Sequence, residues 1–357
     1  MTNKFDITQI EIRKADLLEY TEEDWNLYHE YRKTRHSEAN PDDPFTDNET
    51  TEKSLKLQTQ HPDLKFHFAA IIDTSENRFV GRIVYIGFQE TSESYEGNKH
   101  LLQFDFVLLN EYRNNGIEKI VMKQIYDYAK ENNHTVLMSG TDDKEGKAFL
   151  NDIGAQIALS GVENRLNLEE VDWSMVETWV KEGPKRSPET KLMQVYSIPD
   201  DDIEQYCKVY TETLNQQPLG DLDVNDIVIS PELNRHTEQQ RAALGRKHLT
   251  FYTVEPNGDI SGLTEMLFRP DRESMVDQLL TGVQEQYRGR GLGKWLKAEM
   301  LLTVKEEFPK AKIITTGNAT TNAPMLSIND RLGFKPHKES ITAQLTLDTL
   351  EKYLENE

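Results

Sequence analysis

"VQEQYRGRGLGKWLKAEM", residues 283–300, sets Gly289, Gly291 and Gly293 among Arg288, Arg290 and Lys294, directly before a helix-forming run. A loop of small residues at a helix start turns several backbone N–H groups toward one point, and the helix macrodipole adds roughly half a positive charge there. Both favour a phosphate or pyrophosphate, and glycine removes the side chains that would block its approach. Lys297 adds a further positive charge, within a chain whose formal net charge is −21. Spacing excludes two common phosphate loops. A dinucleotide-binding G-x-G-x-x-G counted from Gly289 needs glycine where Lys294 stands, and a P-loop needs Ser or Thr in place of Trp295.

A damaged copy, "LLNEYRNNGIEKIVMKQI", occupies residues 108–125. Tyr112-Arg113 and Gly116-Ile117 align with Tyr287-Arg288 and Gly291-Leu292. Strand-like runs, "LLQFDFVLL" and "VDQLLTGV", precede the two loops. Helices follow, with apolar stripes at Ile117, Ile120, Val121, Ile125 and Tyr128 in one, and at Trp295, Ala298, Leu301 and Leu302 in the other. Downstream, "KAFLNDIGAQ" matches "PMLSINDRLGFKP", and the halves close with "RLNLEEVDWSMVETWV" and "QLTLDTLEKYL", each strand-like and then helical. "HLTFYTVEPNGDISGLTEMLF" predicts a hairpin turning at Pro256-Asn257-Gly258.

Two copies at so long a period indicate a duplicated domain, not a solenoid. "KEGPKRSPETK" has the prolines and mixed charge of a linker, which divides the chain into residues 1–186 and 187–357. The expected fold is α/β (α+β): two tandem domains, each a mixed central sheet flanked by helices. Local signals permit 187–357 to fold by itself.

The chain of 357 residues is long enough for two such domains, and 29% charged residues fit a soluble protein with much charged surface. A single cysteine, Cys207, excludes an internal disulfide or thiolate metal cluster. His61, His67, His236 and His248 have no metal-ligand spacing, so no metal is expected. No apolar run approaches the ~20 residues of a membrane span, and "MTNKFDITQIEIRKADLL" lacks the apolar core of a signal peptide. A cytoplasmic protein is expected, with Asn318-Ala319-Thr320 a chance sequon. The acidic balance argues against nucleic acid as a partner. Nothing in the sequence sets the oligomeric state.

Arg288-x-x-Gly291-x-Gly293 resembles the acyl-CoA signature of the GNAT N-acetyltransferase superfamily, Q/R-x-x-G-x-G/A. "TTGNATTNAPMLSINDRLGFKP" is similar to that family's last conserved segment, N-x(6)-Y-x(3)-G-F, with Asn322 and Gly333-Phe334 in place. The tandem layout resembles mycothiol synthase and related two-domain acetyltransferases. The resemblance implies acetyl-CoA as co-substrate, its pyrophosphate at the amides of residues 289–294, Leu292 included. It implies pantetheine along the strand that carries Thr281 and ends at Val283, an oxyanion donor around Val283, and a place for Asn322 at the coenzyme. In the first half, Arg113-x-x-Gly116-x-Glu118 puts a carboxylate where the last glycine belongs, and Asn114 and Asn115 replace Gly289 and Arg290. Like charges ~4 Å apart repel by about 4 kcal/mol at an effective dielectric near 20, roughly a thousandfold in affinity. That half is expected to bind no coenzyme.

Acetylating an amine needs its neutral form, about one molecule in a thousand near neutral pH for a pKa of about 10.4. Glu265, on "SGLTEMLF", is the expected base, with Asp277 a rival; Asp221, Asp223 and Asp226 could meet a cationic acceptor. The family often carries a tyrosine acid four residues before the glycine of Gly-Phe. Here that residue is Asn329, matched by Leu150 in the first half, with Ser327 and Asp330 as neighbours. Asparagine can donate a hydrogen bond to sulfur but cannot deliver a proton. The expected activity is acetyl transfer to a primary amine of a small molecule. The alternatives are an acyl-CoA-binding sensor and a peptide N-acetyltransferase.

Overall fold

The computed structural model describes residues 6–355, so Met1 to Phe5 of the N-terminal stretch lie outside it. These residues form two compact units. The first comprises residues 6–159, 221–225 and 341–355, the second residues 160–220 and 226–340. The first holds β1 (Ile10–Ala15), α1 (Glu22–Ala39), α2 (Asn48–Gln58), β2 (Leu64–Asp73), β3 (Arg78–Phe88), α3 (Tyr95–Asn98), β4 (Leu101–Leu108), α4 (Ile117–Glu131), β5 (Val136–Thr141) and α5 (Lys144–Asp152). The chain enters the second within β6 (Gln156–Asn167), followed by α6 (Trp173–Arg186), β7 (Lys191–Val195), α7 (Ile203–Asn215), α8 (Pro231–Ala243), β8 (Lys247–Val254) and β9 (Ile260–Phe268). Next come β10 (Met275–Val283), α9 (Leu292–Glu307), β11 (Ile313–Ala319) and α10 (Ala323–Leu332). β12 (Lys335–Thr346) then leads to α11 (Leu347–Glu355) in the first unit.

Each unit is a mixed sheet flanked by helices. The first is ordered β1-β2-β3-β4-β5 and then residues 341–346 of β12, with β4 and β5 parallel. The second is ordered β6-β11-β10-β9-β8-β7, with β10 and β11 parallel. The β8–β9 hairpin turns where the sequence predicts: Gly258 has φ +90°, and its N–H donates to Glu255 O at 2.9 Å. The apolar stripe on α9 is one edge of a wider buried face that also takes in Leu296, Lys297, Met300 and Val304.

The closing strand and helix of each sequence half belong to the unit built mainly by the other half. β6 pairs with β11 from Ile313↔Asn167 to Ala319↔Gly161. Leu166, Val171 and Val176 share a core with Val276, Leu296 and Leu301. α6 lies so close to α9 that a Cβ on Gly183 would come within 2.2 Å of the Trp295 ring. In the first unit, residues 341–346 pair with β5, and Ala343, Leu345 and Leu350 join Leu102 and Leu137. The divide drawn at 186/187 therefore falls inside the second unit. Linker composition marks where the sequence repeat ends, whereas packing exchanges the last strand and helix. A fragment beginning at residue 187 lacks β6 and α6, which bares one edge of β11 and the Trp295 face of α9. Among the described residues, no helix is long and apolar enough to cross a membrane.

Candidate functional site

β10 carries one more residue than β9 between Gln278↔Met266 and Thr281↔Thr264, a bulge at Leu279–Leu280. Gln278 Nε2 holds it by donating to Glu265 O at 2.6 Å and Thr264 Oγ1 at 3.0 Å; Thr281 Oγ1 lies 2.7 Å from Thr264 Oγ1. β10 pairs with β11 only from Met275↔Ile313 to Asp277↔Thr315, while β11 runs on against β6 as far as Ala319. From the bulge to Val283, the β11-facing edge of β10 has no strand paired with it among the described residues. Backbone groups there are open to an extended ligand. In the first unit, β4 likewise pairs with β5 only from Leu101↔Val136 to Gln103↔Met138, but it pairs with β3 without a bulge from Gln103↔Ile86 to Leu108↔Gly81.

The glycine loop follows directly. Gly289 (φ +81°) and Gly291 (φ +85°) hold left-handed backbone that favours glycine. Gly291 caps α9 without any side-chain bond, and its carbonyl accepts the N–H groups of Lys294 and Trp295 at 3.1 Å. Among the described residues, no backbone acceptor outside α9 itself serves the N–H groups of residues 289–293. Gly293 is different, because its φ is helical and a Cβ would meet only Ile328 Cδ1 at 3.6 Å and Val283 Cγ2 at 3.7 Å. Alanine fits there and would favour the helix by about 1 kcal/mol. Packing gives no reason for that glycine; clearance at the helix end does.

The charges around the loop sort into two groups. Arg288 donates to Val283 O at 3.1 Å and to Gln216 Oε1 at 2.6 Å, two neutral partners that leave its charge uncompensated. Arg290 turns inward to Glu255 (3.0 Å), Thr190 Oγ1 (2.6 Å) and Ser187 Oγ (3.2 Å), so only its backbone N–H remains on offer. Lys294 lies over the Trp179 ring, its pKa lowered by burial and then by Arg331 and Arg186. Those two arginines, unforeseen from the sequence, reach the loop from α10 and α6, although Arg186 is paired with Glu182 at 2.9 Å. Seeing Arg186 requires knowing that α6 packs beside α9. Leu292 is buried.

Glu265 is 1% exposed on β9. Its Oε1 accepts from Tyr206 Oη at 2.8 Å and lies 3.1 Å from His248 Nε2, too oblique for a hydrogen bond; Oε2 has no partner. Burial pushes its pKa up, but His248, Arg241 and the Tyr206 hydroxyl outweigh it and hold the carboxyl below its ordinary value. Asn329, equally buried, accepts from Lys297 Nζ and donates to Asn318 Oδ1 at 2.8 Å. Lys297 is thus no phosphate ligand at the loop. It lies 1% exposed between α9 and α10, and burial lowers its pKa to about 7. The helical stripe could have flagged it, since Lys297 adjoins Leu296 and Ala298, both fully buried.

Asn322 caps α10 by accepting from Met325 N–H at 3.4 Å, and Ser327 and Asp330 are exposed on that helix. Asp277 pairs with Arg269 at 2.8 Å. Asp221 and Asp223 belong to the first unit, where Asp223 lies 3.3 Å from His100 and its N–H donates to Gln344.

In the first unit's loop, Glu118 Oε1 accepts the Asn114 N–H at 2.6 Å. Arg113 is paired with Asp143 at 2.6 Å and Glu145 at 3.1 Å.

No family profile and no curated protein matches the sequence. Solved structures do. A tandem GNAT protein from the clavulanic acid biosynthesis pathway superposes with a TM-score of 0.73 at 17% identity, covering 95% of this chain and 98% of its own. A GCN5-related N-acetyltransferase from Sphaerobacter thermophilus gives 0.63 at 11% identity, covering 95% and 96%. N-myristoyltransferase of Saccharomyces cerevisiae, with bound myristoyl-CoA, gives 0.55 at 8%, covering 96% and 80%. The chain has a tandem GNAT fold.

Proposed function

We propose that the second unit transfers the acetyl group of acetyl-CoA to a primary amine of a small molecule. The observation that carries this reading is the parting of β10 from β11 beside a loop whose amides at 289–293 have, among the described residues, no backbone acceptor outside α9. The residues present fit the coenzyme. The amides of Gly289, Arg290, Gly291, Leu292 and Gly293 would hold its pyrophosphate, with the uncompensated Arg288 and the Lys294 and Arg331 charges around them. The open edge of β10, through Thr281 to Val283, would pair with the pantetheine amides.

Glu265 is the base we assign. It is ionised at neutral pH, and its unpartnered Oε2 offers the lone pair. The amine nitrogen attacks the thioester carbon, its proton passes to Glu265 directly or through water, and the C–S bond breaks with the electron pair going to sulfur. Backbone N–H groups of β10 near Val283 are the donors for the transient oxyanion. Asn329 can steady the leaving sulfur by a hydrogen bond, and the titratable proton in contact with it is that of Lys297.

Thiol release from acetyl-CoA, screened with polyamines, aminoglycosides, amino acids and aminothiols, tests the proposal. Amine-dependent release with an N-acetylated product by mass is expected. Coenzyme binding without release for any amine would support the sensor reading, which Asn329 in the tyrosine position favours.

A further inference from the structure

Leu249, Met266 and Val276 point into the core shared with Leu296 of α9. By alternation, His248, Glu265, Arg269 and Asp277 share the opposite face of the sheet. That face is apolar at one end, where Ile260, Leu263 and Leu280 pack with Tyr206 of α7. The other end is charged. Arg246 enters β8 there, and Arg269 and Arg272 leave β9 toward β10. Among the described residues, five buried polar atoms at this end lack hydrogen-bond partners: Arg246 Nε, Arg269 Nε and Arg272 Nε, and His248 Nε2 and Glu265 Oε2 of one close ion pair. His248 and Glu265 are more than nine-tenths buried. Asp277 answers one of the arginines, pairing with Arg269 at 2.8 Å while it accepts from Thr315 Oγ1 at 3.1 Å. Burial and the neighbouring Arg269 press Arg246 toward its neutral form, and Asp271 and Asp277 offset them only in part.

Half-buried arginines whose buried Nε donors are unmet fit an anion. We propose that Arg246, Arg269 and Arg272 form a subsite for a carboxylate or phosphate carried by the acceptor amine. The subsite adjoins Gln278↔Met266, the last register pair before the bulge, on the face that also carries the open Oε2 of Glu265. An amine anchored there by its acidic group would offer its nitrogen to Glu265 beside the opening of β10. This inference rests on the second unit being an acetyltransferase, and it restricts the acceptor to amines that bear an acidic group.

The test uses matched amines on the full chain: lysine against cadaverine, and glucosamine 6-phosphate against glucosamine. For at least one pair, the acid-bearing member should show a kcat/KM at least about tenfold higher, the worth of one charge-assisted hydrogen bond. Arg246→Gln and Arg269→Gln should shrink that ratio to about twofold or less. The Tm of Arg246→Gln should not fall, because its charge is already disfavoured. Equal use of both members of every pair, or a preference that survives both substitutions, would overturn the subsite.

If no amine supports thiol release, the transferase reading fails, and a separate measurement decides the subsite. Inorganic phosphate is added to Gly293→Glu protein, whose loop cannot accept it, and Tm is recorded. A phosphate-dependent rise that disappears in Gly293→Glu/Arg246→Gln would sustain the anion site, and no rise would sink it.

Discussion

The two glycine loops of this chain share a backbone plan and differ in what meets their amides. At 113–118, Glu118 folds back so that its carboxylate takes the Asn114 N–H, and Arg113 is neutralised by Asp143 and Glu145. At 288–293, the matching positions are Gly293 and Gly289, the amides have no backbone acceptor outside α9 among the described residues, and Arg288 rests on neutral groups. The first loop supplies its own anion; the second carries none. The strands differ less: β4 parts from β5 after Gln103↔Met138 much as β10 parts from β11 after Asp277↔Thr315, and only the bulge of β10 against β9 sets them apart. If only the second loop takes the coenzyme, as proposed, a duplicated domain can lose its ligand site with no loss of fold, through a carboxylate at the helix start.

The comparison is broken most completely by cutting the chain. If the first half's service to the second unit is to supply β6 and α6, a 187–357 fragment should fail to fold, with circular dichroism showing lost sheet. A 160–340 fragment should fold and bind acetyl-CoA. A folded, binding 187–357 fragment would mean that β6 and α6 are dispensable. Next in size is Gly293→Glu, which gives the second loop the first loop's carboxylate. Calorimetry should show acetyl-CoA affinity reduced by roughly a thousandfold or more, from about 4 kcal/mol of repulsion.

Glu265→Gln should lower kcat by ~10²–10³, within the usual span for a general base. Activity should partly return at high pH, where the amine deprotonates unaided. Normal turnover at neutral pH would reject the assignment.

A last effect, read on stability and not on activity, concerns Lys297. Its pKa is about 7 folded against an ordinary 10.5, so between these values the unfolded chain binds more protons. Stability should therefore rise with pH across that window, by at most about 1.4 kcal/mol per unit, with the burial penalty complete below it. Lys297→Met should flatten the rise in urea-unfolding series. An unchanged slope would show that Lys297 is not the buried titrating group.

The duplication, the hairpin and the glycine loop were legible because each is local: a turn needs Gly258, and a left-handed helix start needs Gly289 and Gly291. The exchange of β6–α6 with the end of β12 and α11 was not. Strand pairing partners such as Asn167 and Ile313 are chosen over long sequence separations, and both halves carry equivalent closing segments. The same blindness hid the inward turn of Arg290 and the burial of Lys297. A cation reads alike whether it faces a ligand, a carboxylate such as Glu255, or the space between two helices. Arg186 and Arg331 were missed for the converse reason, since neither lies near the loop in sequence.

The central claim, that one loop of the pair takes the coenzyme, is tested most directly by calorimetric titration of the full chain with acetyl-CoA. The account predicts one site per chain, lost in Gly293→Glu and retained within a few-fold in affinity in Glu118→Ala. Two equivalent sites, or a site that disappears with Glu118→Ala and survives Gly293→Glu, would contradict it.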